Sequence, residues 1–196
     1  MEALSQDPLE QFEHWFAEAK RAGVEVPEAM TLATADAEGA PSARMVLLKG
    51  VGEDGFVFYT GYGSRKSEEL EQNPRAALVF YWRPLGRQVR VEGSVERVPE
   101  PESAAYFATR PRGSQLAAWA SKQSRPLGSR EELERRYAEL EREYEGREVP
   151  LPPHWGGYRL RPEAIEFWEH RENRLHDRFR YTRAREGGWK VERLSP

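Results

Sequence analysis

The chain has 196 residues, 32% of them charged and 38% hydrophobic, with a formal net charge of -3 and no cysteine. That length suits one domain, or one domain with a helical annex, and is ample for a buried core. The balanced charge argues against a nucleic-acid or anionic-membrane partner, and the missing cysteines exclude disulfides, thiolate metal sites and cysteine nucleophiles.

No apolar run is long enough to span a bilayer, and Met1 to Asp7 has neither a basic n-region nor an apolar h-region. A cytoplasmic protein without a signal peptide is therefore expected. The first element reads as a helix from about Asp7 to Ala22, with Asp7 as cap, Pro8 in the first turn, Gly23 at the end, and a stripe of Leu9, Phe12, Phe16 and Ala19. Strands follow at Met30 to Ala35, Ala43 to Lys49 and Phe56 to Thr60, with an Asp54-Gly55 hairpin signal before the third. After a loop at Gly61 to Arg65 comes a short helix, Ser67 to Gln72, then strands at Ala76 to Trp82 and Gln88 to Val98.

The middle of the chain reads as helical. Short helices are expected at Glu102 to Ala108 and Gln115 to Ala120, and a longer one at Ser129 to Tyr144. Ser129 and Glu132 have capping-box spacing, and Leu133, Tyr137, Leu140 and Tyr144 form an apolar stripe. Strands return at Gly157 to Leu160, Ala164 to Trp168, Arg178 to Thr182 and Trp189 to Leu194. Neither half has enough strands to close alone. The expectation is a mainly β, antiparallel barrel in one domain, 1–196, with an N-terminal helix and a helical insertion at about 100–145.

Four polar clusters stand out. Arg44-Met45-Val46-Leu47-Leu48-Lys49 by itself fits an amphipathic strand, and alternation would put Arg44 and Lys49 on opposite faces. Tyr59-Thr60-Gly61-Tyr62-Gly63-Ser64-Arg65-Lys66-Ser67 leads a strand through a glycine loop into a helix start, which suits a phosphate better than a merely solvated helix start, although the P-loop spacing is missing. The third cluster runs from Tyr106 through Arg110 and Ser114 to Ser121-Lys122-Gln123-Ser124. Tyr106 and Arg110 share a face if the helix continues, and Ser114 is placed as the next N-cap; a basic helical linker explains this cluster equally well. The fourth is Trp168 followed by Arg174-Leu175-His176-Asp177-Arg178, where the adjacent His176 and Asp177 should point apart. The four histidines, His14, His154, His170 and His176, lack close ligand spacing, so no metal is expected. Several anion cradles without a triad or carboxylate pair point to a phosphorylated cofactor that carries the chemistry.

Together with Arg87-Gln88-Val89, these motifs resemble the pyridoxamine 5′-phosphate oxidase family in order and spacing along nearly the whole chain. The resemblance implies an FMN-binding split β-barrel, homodimeric, with FMN in clefts at the interface. It implies FMN contacts at Arg44, Met45, Val46, Leu47, Leu48, Lys49, Tyr59, Thr60, Arg65, Lys66, Gln88, Gln123, Ser124, Trp168 and Arg178. Lys49, Tyr106, Arg110 and Ser114 would hold the substrate phosphate. Arg174, Leu175 and His176 would lie over the substrate ring, with Arg174 and His176 in the catalytic role. The implied reaction oxidises pyridoxamine or pyridoxine 5′-phosphate with O2. Two departures from the family pattern are expected to matter: Glu169-His170-Arg171-Glu172-Asn173 lacks the glycines often found before Arg-Leu-His, and the longer N-terminal arm of the family is largely absent before Asp7. A related phenazine-type oxidase and a non-catalytic FMN or pyridoxal phosphate binder are the alternatives.

Overall fold

The computed structural model describes residues 4–196, so Met1 to Ala3 of the segment read for a signal peptide lie outside the described residues. Helix α1 spans Pro8–Arg21, and Asp7 caps it by accepting the Leu9 N–H at 2.8 Å. Gly23 follows at φ 72, the left-handed conformation that glycine adopts without a Cβ clash. The helix buries Leu9, Phe12, Trp15 and Ala19; Phe16 of the sequence stripe is only half-buried, and Trp15 takes the deeper position.

Among the described residues, nine strands build one sheet: β1 Ala29–Ala35, β2 Pro41–Leu47, β3 Gly50–Gly52, β4 Gly55–Gly61, β5 Arg75–Trp82, β6 Arg87–Arg97, β7 Trp155–Glu169, β8 Asp177–Arg183 and β9 Trp189–Arg193. The order is β2-β1-β5-β6-β7-β4-β3, with β8 joined to β7 and β9 to β8. Every pairing is antiparallel, and the sheet curls into a half-barrel around α1, the expected split-barrel architecture. The Asp54-Gly55 signal does mark a hairpin, but its first strand is the short β3, because β2 ends at Leu47.

The strands read separately at Gly157 to Leu160 and Ala164 to Trp168 are one strand, β7. One of its edges pairs with β6 from Arg97↔Tyr158 to Arg87↔Glu169, with an irregularity between Glu92 and Gly93. Its other edge pairs with β4 up to Leu160 and with β8 from Ala164 onward. Pro162, which has no N–H to donate, sits between those two partners. Gly93 lies opposite, where a Cβ would come within 2.0 Å of the Arg161 carbonyl oxygen.

Helix α2, Arg65–Gln72, starts two residues earlier than the sequence suggests. Between β6 and β7 lie α3 Glu100–Thr109, α4 Arg112–Ala120 and α5 Arg130–Glu143. Ser129 caps α5, while Glu132 reaches the N–H of Gly128 rather than that of Ser129. Tyr137, Leu140 and Tyr144 lean on a small second core of Phe107, Leu116, Val149 and Trp155. In the main core Phe12 is fully buried, its ring 4.9 Å from both Phe56 and Phe80. Phe12→Ala should therefore lower unfolding free energy by about 3–5 kcal/mol, read as a shifted urea midpoint at unchanged slope.

Candidate active site

A cleft of about 820 Å³ opens beside the β2 edge of the barrel. The first three sequence clusters converge on it. Arg44, Met45, Val46, Leu47 and Lys49 line it from β2 and the residues just beyond, and Tyr59, Thr60, Arg65 and Lys66 from β4 and α2. Tyr106, Arg110, Ser114, Gln123 and Ser124 complete the wall. Alternation would have separated Arg44 from Lys49, but β2 stops at Leu47, and Lys49 lies beyond the regular pleat. Leu48 is the exception within its motif, since its side chain packs into the main core.

One end of the cleft is a cationic cradle. The Lys66 ammonium is buried, and its partners are hydroxyls: Thr60 Oγ1 at 3.0 Å and Ser64 Oγ at 3.1 Å. Burial, reinforced by the Arg44 charge, brings Lys66 down to about 8, with Glu69 opposing. Glu69 organises the neighbouring cations. It accepts from Arg65 Nε at 2.8 Å and Arg44 Nη2 at 3.1 Å, and from Thr34 and Ser42 at 2.5 and 2.6 Å. Burial works against its charge, yet these four hydrogen bonds prevail and bring the carboxyl down to about 2. Sequence reading missed Glu69; its spacing of four from Arg65 on a helix was the available signal. Gln123 ties the loop after α4 to this end, its Oε1 accepting from Thr60 Oγ1 at 2.9 Å and Gly61 N at 3.1 Å.

The other end is aromatic with one cation. The Tyr59 and Tyr106 rings stack at 4.0 Å, and Trp155 lies 5.4 Å from Tyr59. Burial, with the Glu102 charge adding to it, pushes the Tyr59 phenol up to about 12, which keeps it a neutral donor. Tyr59 packs over Gly157, where a Cβ would come within 2.8 Å of its ring. The Arg110 guanidinium lies 4.7 Å from the centre of the Trp155 ring, and its Nη1 is buried with no hydrogen-bond partner. Burial lowers the Arg110 pKa. Two local expectations fail here. Helix α3 ends at Thr109, so Arg110 is extended and reaches the cleft without sharing a helical face with Tyr106. Helix α4 starts at Arg112 with Pro111 as its cap, which places Ser114 inside the first turn rather than at the cap.

The fourth cluster and Gln88 stand apart from this cleft. Gln88, Trp168 and Arg178 are cross-strand neighbours in one row over β6, β7 and β8, and Tyr81 on β5 extends the row. Beside it the buried Glu166 carboxylate bonds Arg90 at 2.7 Å and Arg178 at 2.9 Å. Arg174, Leu175 and His176 occupy the β7–β8 loop. His176 accepts a hydrogen bond from the Arg171 N–H, and Asp177 pairs with Arg171 and Arg193, so these adjacent residues form no dyad. Among the described residues, the non-glycine residues at positive φ are Ser124, Asn173 and Arg174. Two of the three are candidate site residues, consistent with strain stored where geometry must be fixed. Also among the described residues, no group of three or more His, Asp or Glu is arranged to hold a metal ion, and no helix is long and apolar enough to cross a membrane.

An antiparallel split barrel whose cleft joins a cationic cradle to an aromatic wall is the class of protein that the fold and site define. Residues 16–143 match the family model of pyridoxamine 5′-phosphate oxidase, and residues 155–196 match that of the pyridoxine 5′-phosphate oxidase C-terminal dimerisation region. The chain belongs to the pyridoxamine 5′-phosphate oxidase family. It is 69% identical over 191 residues to the pyridoxine/pyridoxamine 5′-phosphate oxidase of Rubrobacter xylanophilus, covering 97% of this chain and 87% of that one. With the Salinibacter ruber protein of the same name it shares 57% over 195 residues, covering 98% and 91%. Among solved structures, PhzG from Burkholderia lata 383, in complex with tetrahydrophenazine-1-carboxylic acid, superposes with a TM-score of 0.93 at 35% identity, covering 98% and 94%. A pyridoxamine 5′-phosphate oxidase-related, FMN binding protein from Nostoc punctiforme shares the fold, with a TM-score of 0.78 at 19% identity over 98% of this chain and all of that one.

The Glu69 network makes a pH-dependent contribution to stability. Its carboxyl is depressed on folding from an ordinary 4.5 to about 2, so the contribution is full above about 4.5 and is lost as pH falls toward 2. In urea titrations Glu69→Gln should flatten the acid limb of stability across that window. Glu69→Ala, which leaves Arg44 and Arg65 without their carboxylate, should cost about 3 kcal/mol at neutral pH.

Proposed function

We propose that this chain catalyses the FMN-dependent oxidation of pyridoxamine 5′-phosphate and pyridoxine 5′-phosphate by O2 to pyridoxal 5′-phosphate. Hydrogen peroxide is the co-product, and the amine route consumes water and releases ammonia. The observation that carries this reading is the pair of separate anion positions in one cleft. At one end a buried ammonium has only hydroxyl partners, and at the other a buried guanidinium nitrogen has none. Buried cations without an anion are unfavourable, and two phosphate monoesters would satisfy both.

Arg44, Arg65 and Lys66 would hold the FMN phosphate. Met45, Val46, Leu47, Lys49, Tyr59, Thr60, Gln123 and Ser124 would line the rest of the cofactor position. Leu48 points into the core, which leaves only its backbone to the cofactor. Lys49, Tyr106, Arg110 and Ser114 would hold the substrate phosphate. Gln88, Trp168, Arg178 and the Arg174-Leu175-His176 loop would reach the cleft from a second copy in a homodimer. The match to a dimerisation region supports that arrangement, as do the exposed Met45, Leu47, Tyr81 and Leu175 side chains.

Bound FMN supplies the acceptor for the hydride leaving the substrate carbon and the route by which its electrons reach O2. The protein's own part is positioning. Arg110 with Ser114 and Lys49 fixes the phosphate end of the substrate. The neutral Tyr59 phenol donates without adding charge beside the cofactor. Arg174 and His176 would orient the amine or hydroxyl, with the imidazole presenting its Nε2–H to that group.

Purified protein loaded with FMN should form hydrogen peroxide and pyridoxal 5′-phosphate from either substrate. Turnover of a phosphate-free tricyclic acid instead would favour the phenazine-type alternative, and flavin uptake without turnover would favour a binding protein. Arg110→Ala should raise KM for the phosphorylated substrate about 10- to 100-fold, the loss of one or two charge-assisted hydrogen bonds, with FMN affinity unchanged. A phosphate dianion favours the charged form of Lys66, whose value is about 8 in the free protein. FMN affinity, followed by flavin fluorescence, should therefore weaken as pH rises through 8, and Lys66→Met should remove that dependence.

A further inference from the structure

The β7–β8 loop carries two consecutive non-glycine residues in the left-handed region, Asn173 at φ 55 and Arg174 at φ 61. This region is disfavoured for residues with a Cβ, so surrounding contacts must hold the loop in this shape. Within the loop the Leu175 N–H bonds the Glu172 carbonyl at 3.1 Å, and at its start the His170 N–H bonds the Gly86 carbonyl at 2.8 Å. A further restraint is ionic and centres on Arg171. This side chain donates to Glu169 at 2.6 Å on the outgoing strand and to Asp177 at 2.8 Å on the returning strand, and so clamps the loop across its neck.

The clamp is anchored at both ends. Glu169 also holds Arg87 at 3.0 Å, and Arg87 pairs with Glu18 on α1. Asp177 also holds Arg193 of β9 at 2.6 Å. Alternating charges thus run from the first helix to the last strand through the neck of this loop. The Arg171 backbone N–H donates to His176 Nδ1 at 3.1 Å, while the imidazole rests 4.5 Å from the Trp168 ring. Nδ1 can accept only when it carries no proton, which leaves the proton of the neutral ring on Nε2.

We propose that the Arg171–Asp177 ion pair is a positioning device that presents the Arg171 N–H to His176 Nδ1 and so fixes the imidazole as its Nε2–H tautomer. Arg171 and Asp177 are positioning residues, since they act through His176 and the loop. The value of this for turnover rests on the reading that Arg174 and His176 face the substrate; the tautomer itself does not.

The test uses full-length protein with FMN bound and 15N-labelled histidine. Long-range 1H–15N spectra at pH 8 report the tautomer of each ring, and His176→Gln assigns the His176 signals. Wild type should show His176 protonated on Nε2. Arg171→Ala, which keeps the backbone N–H and changes a half-exposed side chain, should give a mixture with the Nδ1–H form. The same variant should lower kcat about tenfold, with KM and FMN affinity within about twofold of wild type, and Arg171→Lys should recover most of both signals. Asp177→Asn should reproduce the Arg171→Ala spectrum. A His176 proton on Nδ1 in wild type would overturn the proposal. So would an unchanged tautomer in Arg171→Ala, or a changed tautomer at full kcat. If wild type oxidises neither B6 phosphate while the tautomer responds as expected, the substrate assignment fails and the tautomer control stands.

Discussion

The structure depends on one ladder, the pairing of β6 with β7. It joins the N-terminal strands to the C-terminal ones, and the other edge of β7 serves two partners in succession, β4 and then β8. A strand of 15 residues can do this only if its middle has no partner on that edge, and Pro162 falls in that stretch. Gly93 allows the Arg161 carbonyl to come close on the opposite edge. From this arrangement the first half of β7 supplies Trp155 to the cleft wall, and the second half supplies Trp168 to the outer row.

The cleft sits where short-range chemistry overrides regular secondary structure. Lys49 reaches it because β2 ends, Arg110 because α3 ends, and Ser124 because the loop after α4 adopts a left-handed turn. In each case a side chain is freed from helical or pleated periodicity. Glu69 then supplies the fixed point for the cations. A buried carboxylate with four donors is a rigid acceptor, and Arg44 and Arg65 approach it from different elements.

Much of this was legible in the sequence. Asp7-Pro8, the strand runs and the capping residue Ser129 give their elements to within a residue or two. Three of the four polar clusters meet in space. What was not legible depends on tertiary pairing. Periodicity cannot tell that Gly157 to Leu160 and Ala164 to Trp168 are one strand, since Pro162 breaks the local signal while β6 continues beside it. Ser114 reads as a cap because its chemistry suits one, yet Pro111 already fixes the start of the helix. Nothing local reveals that Gln88, Trp168 and Arg178 share a row, because their adjacency is set by register across three strands. Glu69 was hidden for the opposite reason: a glutamate four residues from an arginine on a helix is so common that it carries little information.

The Glu69 carboxylate also sets a stoichiometry of charge. Arg44, Arg65 and Lys66 with Glu69 among them leave the cradle with two formal positive charges when Lys66 is protonated. A phosphate monoester in its dianionic form would bring that corner of the barrel to neutrality. A third uncompensated cation would call for a counter-ion from solvent, and a neutral ligand of the same outline would leave both charges unmatched. The corner would therefore discriminate by valence as well as by shape. Such a preference for a doubly charged end group would be written into a residue that need not touch the ligand at all.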